Sequence, residues 1–210
     1  MNPFQIRADP GEVGDEYVAV GAWGRYNAAG ILVRHLDDNG VVRYLLAKGA
    51  PGMSQEKWAL PGGALHSLET PAQGAAREMS EELGVDQAYL DSLDLIGIYV
   101  AAKPNGWHYT TFATSVAERC TPVADTHEVV AARWIAEDEL RTMAANGELH
   151  SALTQHLEAI LELYESQNRD RSDEPQTLAV QSVRGRRRAC AAGESRPTEG
   201  TKDPGRTSIR

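Results

Sequence analysis

Gly63-Ala64-Leu65-His66-Ser67-Leu68-Glu69-Thr70-Pro71-Ala72-Gln73-Gly74-Ala75-Ala76-Arg77-Glu78-Met79-Ser80-Glu81-Glu82-Leu83-Gly84-Val85 is the stretch on which this chain turns. Thr70 is a good N-cap, and Pro71 then falls where a helix tolerates proline. A helix is therefore predicted from about Thr70 to Leu83, with Gly84 as its C-terminal glycine. Glu78, Glu81 and Glu82 stand at i, i+3 and i+4 and share one face of it. Ala72, Ala75, Ala76, Met79 and Leu83 cluster on another face, suited to packing on a sheet. Three like charges so placed repel by roughly 0.2–0.5 kcal/mol per pair. Glu81 and Glu82 also lie near the helix C-terminus, where the macrodipole disfavours anions. Two local rules broken in one place point to function, and clustered oxygen ligands suit Mg²⁺ or Mn²⁺. Glu69 precedes the helix, and Arg77 can pair with it and hold the preceding loop. For the three glutamates alone, a solvated acidic face is the competing reading.

Outward from this stretch the chain alternates strands and helices. Ala28–Arg34 is apolar and β-prone, Asn39-Gly40 is a hairpin signal, and Val41–Lys48 is the returning strand. Tyr17 to Trp23 reads as a short strand and Trp58-Ala59-Leu60 as another apolar run. Downstream, Asp94–Ala102 and Trp107–Ala117 read as strands joined by Lys103–Gly106, and Val129–Ile135 as one more. Ala136–Met143 suggests a short helix and His150–Gln167 a longer one, with Leu153, Leu157, Ile160, Leu161 and Tyr164 at helical spacing. Residues 1–16 form an irregular lead-in. The apolar pattern stops after Ser166, and residues 166–210 read as a disordered tail.

Composition narrows the function. The 210 residues are 41% hydrophobic and 24% charged, as in an ordinary soluble globular protein. No apolar run approaches a membrane span, and the first ten residues do not resemble a secretory signal. Cys120 and Cys190 form no CxxC pair, which fits a reducing cytoplasm better than a disulfide scaffold. Net charge is −9. Residues 166–210 hold 10 Lys and Arg against 6 Asp and Glu, a net of +4, leaving −13 on residues 1–165. Such a body does not suit nucleic acid. An anionic substrate there needs positive charge from elsewhere, which a divalent metal supplies. The chain has no GxxxxGK[ST], GxGxxG, HExxH or GxSxG pattern.

The spacing Gly63-x5-Glu69-x7-Arg77-Glu78-Met79-x-Glu81-Glu82-x-Gly84-Val85 resembles the Nudix box at every specified position. With seven fixed residues, a chance match is on the order of 10⁻⁸ per starting position. Trp58-Ala59-Leu60-Pro61-Gly62-Gly63 is similar to the usual entry to that box, and Arg133-Trp134-Ile135 with Glu137-Asp138-Glu139-Leu140 is similar to the family's common ending. The resemblance covers residues 17–165. It implies an α/β fold, the α/β/α sandwich around a mixed β-sheet with a loop–helix–loop catalytic box.

It also implies hydrolysis of a nucleoside diphosphate linked to another group. Glu78, Glu81 and Glu82 would bind Mg²⁺, or Mn²⁺ in its place, with the Gly62 carbonyl as a further ligand. Gly63, Glu69, Arg77 and Gly84 would be structural. In relatives the general base is either the glutamate at the Glu78 position or one from a later loop, for which Glu128 is the candidate. Glu78, Glu82 and Glu128 are thus the catalytic candidates. Lys48 stands where relatives place a cationic phosphate contact. Trp107 and Tyr109 offer rings for a base, although core packing is the commoner use of such rings, and Trp58 reads as core.

Substrate signatures of the subgroups are missing. Tyr99-Val100-Ala101 replaces the proline that marks many ADP-ribose hydrolases. Ala101, Ala102 and Lys103 replace the tyrosine of dinucleoside polyphosphate hydrolases. The chain most resembles the broad MutT-like bacterial group acting on nucleoside triphosphates, modified ones included, with ADP-ribose or a nucleotide sugar as the alternative. A nucleotide-sensing module without turnover is the competing class, and an intact box argues against it. The expected partner is a small nucleotide, with neither nucleic acid nor membrane. Many relatives are homodimers, but nothing in the sequence decides that. Arg184-Gly185-Arg186-Arg187-Arg188 could touch RNA or a membrane, and reads first as a solvated basic run.

Overall fold

The computed structural model describes residues 3–4, 17–18, 22–23, 27–51, 56–125 and 127–173. Most of the lead-in lies outside the described residues. So does the tail from residue 174, with Cys190 and the Arg184–Arg188 run.

Strand β1 (Tyr17–Val18) pairs antiparallel with β2 (Ala22–Trp23). The single strand expected over this stretch is thus two short paired strands. The main chain of the fold continues with β3 (Ala28–Leu36), β4 (Val42–Gly49), β5 (Trp58–Ala59), β6 (Gly62–Ala64), helix α1 (Pro71–Leu83), α2 (Gln87–Asp91), β7 (Asp94–Ala102), β8 (His108–Ser115), β9 (Val129–Ala136), α3 (Glu137–Ala145) and α4 (Ser151–Asp173).

Among the described residues, seven of these strands form one mixed sheet in the order β5-β4-β3-β8-β7, with β6 on β3 and β9 on β4. The β3–β8 pair is parallel and runs from Ala28↔Tyr109 to Arg34↔Ser115. The other pairings are antiparallel. Central β3 is buried from Ala28 to Val33, as a near-continuous apolar strand covered on both faces should be. The β3–β4 turn forms on Asp37, whose Oδ1 accepts from the Asn39 and Val41 N–H groups.

Two cores line the sheet. On one face Ala72, Ala75, Ala76, Met79 and Leu83 of α1 pack with Ile31, Val33, Leu45 and Phe112. On the other, Leu140 and Met143 of α3 and Leu153, Leu157, Ile160, Leu161 and Tyr164 of α4 pack with Leu32, Leu46 and Ile135. The apolar faces read from sequence for α1 and α4 are the ones buried. The fold is therefore the expected α/β sandwich. Tyr164 stitches α4 to the middle of the sheet: its hydroxyl donates to the Leu32 carbonyl and accepts from the Thr114 N–H.

Helix α4 runs to Asp173, past the predicted end at Gln167. Its last turns are polar, so apolar periodicity cannot mark them. No glycine or proline intervenes before Pro175, which disfavours helix at the residue preceding it. Among the described residues, no helix is long and apolar enough to cross a membrane.

Candidate active site

Helix α1 begins as its sequence requires. The Thr70 hydroxyl accepts from the Gln73 N–H while the Gln73 side chain accepts from the Thr70 N–H, a complete capping box. It ends on Gly84 at φ 63°, a left-handed conformation that costs glycine little, with the Gly84 N–H donating to Ser80 O. These ends fix the rotation of the helix, and hence where its acidic side chains point.

Arg77 is buried and organises one side of the site. Its Nε and Nη2 fork onto the two oxygens of Glu69 at 2.8 and 3.2 Å. Nη2 also donates to Ala64 O at 2.8 Å, and Nη1 reaches Glu78 at 3.0 Å and Glu81 at 2.8 Å. Glu69 further accepts from the His66 N–H. Burial alone would raise the Glu69 pKa, but the Arg77 bonds and the His66 N–H outweigh it and hold the carboxyl below its ordinary value. One guanidinium thus ties β6, the loop after it and the helix into a single piece.

The other side gathers carboxylates of which only Glu78 is met by a cation, Arg77. Glu78, Glu82 and Glu128 each offer an oxygen, and the three lie within 4.8 Å of one another. Among the described residues, no lysine or arginine pairs with Glu82 or Glu128. Burial pushes the Glu78 carboxyl up to about 7; Arg77 opposes this, while Glu81 and Glu128 add to it. Burial likewise raises Glu82 well above its ordinary value, reinforced by Glu78 and partly offset by the Gly62 N–H, which donates to Glu82 at 3.0 Å. A Cβ on Gly63 would fall on the Glu78 carboxylate, so glycine is required there by close approach. Oxygen-only donors carrying this much unbalanced negative charge fit a hard divalent cation.

The remaining sequence candidates fall around this centre. Glu81 is 59% exposed along its side chain, is bound to Arg77, and lies outside the trio. Gly62 touches Glu82 through its N–H. Lys48 is the penultimate residue of β4, opposite Ala131 and Trp58 and two residues before Ala50, whose N–H donates to Glu128 O at 2.7 Å. Trp107 carries Lys103 Nζ over its ring at 4.7 Å. The Tyr109 ring packs on the α3–α4 side core, and its hydroxyl sits against Gly30 and Gly62. Burial, with Glu82 and Glu78 nearby, holds that hydroxyl protonated. Trp58 packs on the same core, with Arg133 at 4.9 Å over its ring.

Sequence reasoning missed Asp125. Its Oδ1 accepts from three successive N–H groups at His127, Glu128 and Val129. The signal was an aspartate just before the N-terminus of a strand, a weak one at any loop.

The fold agrees with comparison to known proteins. The NUDIX domain model matches residues 24–157, and the chain belongs to that family. It is 38% identical over 146 residues, 65% of its length, to the Mycobacterium tuberculosis protein named "Putative 8-oxo-dGTP diphosphatase 3", and spans 64% of that relative. It is 31% identical over 124 residues to a "Nucleoside triphosphate pyrophosphatase/Nudix hydrolase fusion protein" of Bifidobacterium longum, covering 56% of this chain and 25% of that one. Among solved structures it is similar to a Nudix hydrolase from M. smegmatis, RenU, with TM-score 0.56 and 32% identity over 69% of this chain and 90% of the other.

Proposed function

We propose that this chain hydrolyses a diphosphate linkage in a substrate built on a nucleoside diphosphate. A nucleoside triphosphate, with oxidised or otherwise modified ones included, is the substrate we assign. The observation that carries this reading is the convergence of Glu78, Glu82 and Glu128 within 4.8 Å. The name of the M. tuberculosis relative supports the substrate.

Mg²⁺, with Mn²⁺ as a substitute, fits the three carboxylates, and bound there it would neutralise phosphate oxygens and make the attacking water more acidic. The other roles fall on the chain itself. Glu128 is the exposed member of the trio, and we assign it the proton of the attacking water; Glu78 Oε1 is already engaged by Arg77. The water oxygen bonds to phosphorus, the bridging P–O bond breaks, and its electron pair leaves with the released phosphate group. Arg77 holds the box rigid and Lys48 contacts substrate phosphate. The partner is a small molecule and the compartment the cytoplasm, in keeping with the acidic body and the cysteine usage.

Product release from a panel tests this: canonical and oxidised dNTPs, ADP-ribose, dinucleoside polyphosphates, NADH and nucleotide sugars. It is run with Mg²⁺ and with Mn²⁺, beside Glu82→Gln. Metal-dependent cleavage of a nucleoside triphosphate that falls by about 100-fold or more in Glu82→Gln supports the proposal. No cleavage by the folded, metal-bound protein would leave a sensing module.

A further inference from the structure

Residues 123–125 and 127–129 bring Glu128 to the site, and three sets of bonds hold them there. The Val123 N–H donates to Leu83 O at 2.9 Å and the Asp125 N–H to Glu82 O at 3.1 Å. The end of α1 therefore hands two of its unpaired carbonyls to this segment. Asp125 Oδ1 then accepts from the N–H groups of His127 at 3.0 Å and of Glu128 and Val129 at 3.1 Å each. The Glu128 carbonyl is in turn fixed by the Ala50 N–H at 2.7 Å. The backbone that carries Glu128 is thus laced to the same residue, Glu82, whose side chain it must meet.

Glu128 itself is exposed, so packing does not hold its side chain. Its direction depends on the backbone beneath it. Three N–H groups converging on one carboxylate oxygen define that backbone, much as a helix N-cap defines the first turn. We propose that Asp125 is a positioning residue for the acidic centre: its carboxylate oxygen sets the turn that places Glu128 beside Glu78 and Glu82. This rests on the reading of Glu128 as part of the cation-holding trio. Partners one step removed from a metal ligand are typically worth about 10–100-fold in affinity.

The test is Mn²⁺ binding to the metal-free full chain, followed by electron paramagnetic resonance of free Mn²⁺, with thermal unfolding of each variant alongside. Glu128→Gln and Glu82→Gln should each weaken Mn²⁺ binding by about 10-fold or more. Asp125→Ala should lose most of what Glu128→Gln loses, and the double variant should be no weaker than Glu128→Gln alone. Asp125→Asn keeps an oxygen acceptor in place without the charge and should stay within about twofold of the parent. Asp125→Glu keeps the charge but moves the acceptor, and should behave like Asp125→Ala; it also replaces Asp125→Ala if that variant fails to fold. Loss in Asp125→Asn with retention in Asp125→Glu would make the effect one of charge and overturn positioning. Weakening by Glu128→Gln with none by Asp125→Ala or Asp125→Glu would overturn it too. No effect of Glu128→Gln beside a clear effect of Glu82→Gln would instead remove Glu128 from the trio, and the inference with it.

Discussion

The two sides of α1 treat the same side-chain type in opposite ways. On the Glu69 side, Arg77 forks onto one buried carboxylate and touches two more, and the cluster is closed: its donors and acceptors are met within the protein. On the Glu82 side, three carboxylates approach one another; Arg77 reaches only Glu78, Glu82 accepts one backbone N–H from Gly62, and neither Glu82 nor Glu128 has a paired cation among the described residues. Both sides are acidic and both draw on carboxylates of α1. The difference shows that acidity alone does not make a candidate cation site. What sets the open side apart is three carboxylates brought together with one guanidinium contact, to Glu78, among them.

The contrast breaks most visibly at Arg77. Removing it by Arg77→Ala strands Glu69, almost wholly buried, without its partner, and should cost about 3–5 kcal/mol of stability. Urea unfolding would read this. A loss below about 1 kcal/mol, the range of an exposed pair, would mean that the cluster is not the closed structural unit described here.

The open side predicts a pH dependence of the opposite kind. Glu78 titrates near its ordinary 4.5 when unfolded and at about 7 when folded, so the folded metal-free protein binds more protons between those values. Stability of the metal-free protein should therefore be greatest below about 4.5 on this account and fall by a few kcal/mol as pH rises through about 7, with Glu82 acting in the same direction. On the proposed function Mg²⁺ would bind the ionised carboxylates, so its stabilisation should grow over the same range and release protons. Thermal unfolding at pH 5.5 and 8, with Mg²⁺ and with chelator, measures both slopes. A metal-free protein more stable at pH 8 would contradict the uncompensated charge.

Glu81 sharpens the boundary between the two sides with the smallest effect. It is mostly exposed and bound to Arg77, so Glu81→Gln should change stability by under about 1 kcal/mol. Mn²⁺ titration should also show it weakening binding less than Glu82→Gln. Equal losses would move Glu81 into the open group.

Much of this was legible in the sequence because it is local. The Thr70 cap, Pro71, Gly84 and the i, i+3, i+4 glutamates depend only on helix geometry, and α1 forms as they dictate. The Glu69–Arg77 pair was legible too, since they stand only 8 residues apart. Glu128 could be named only by its place ahead of Trp134, because its approach to α1 depends on a loop that crosses from another strand. Asp125 was invisible for the same reason: its acceptors are met only once that loop is closed. The separation of Glu81 from Glu82 was hidden as well. Adjacent residues on one face look equivalent until Arg77 takes one of them. The end of α4 was misplaced because polar turns carry no periodic signal.

Tyr164 bridges two strands that lie far apart in sequence, binding Leu32 across 132 residues. Every residue of the acidic centre and every strand of the sheet is complete by Ala136, yet a backbone acceptor and donor in mid-sheet are met by a phenol some way further on, in α4. During synthesis the site's residues would all have emerged before that bridge can form. Shortening the chain is correspondingly asymmetric. A stop codon after Ser166 keeps the bridge, whereas one just before Tyr164 takes the acceptor from the buried Thr114 N–H and leaves the Leu32 carbonyl with the Thr114 hydroxyl.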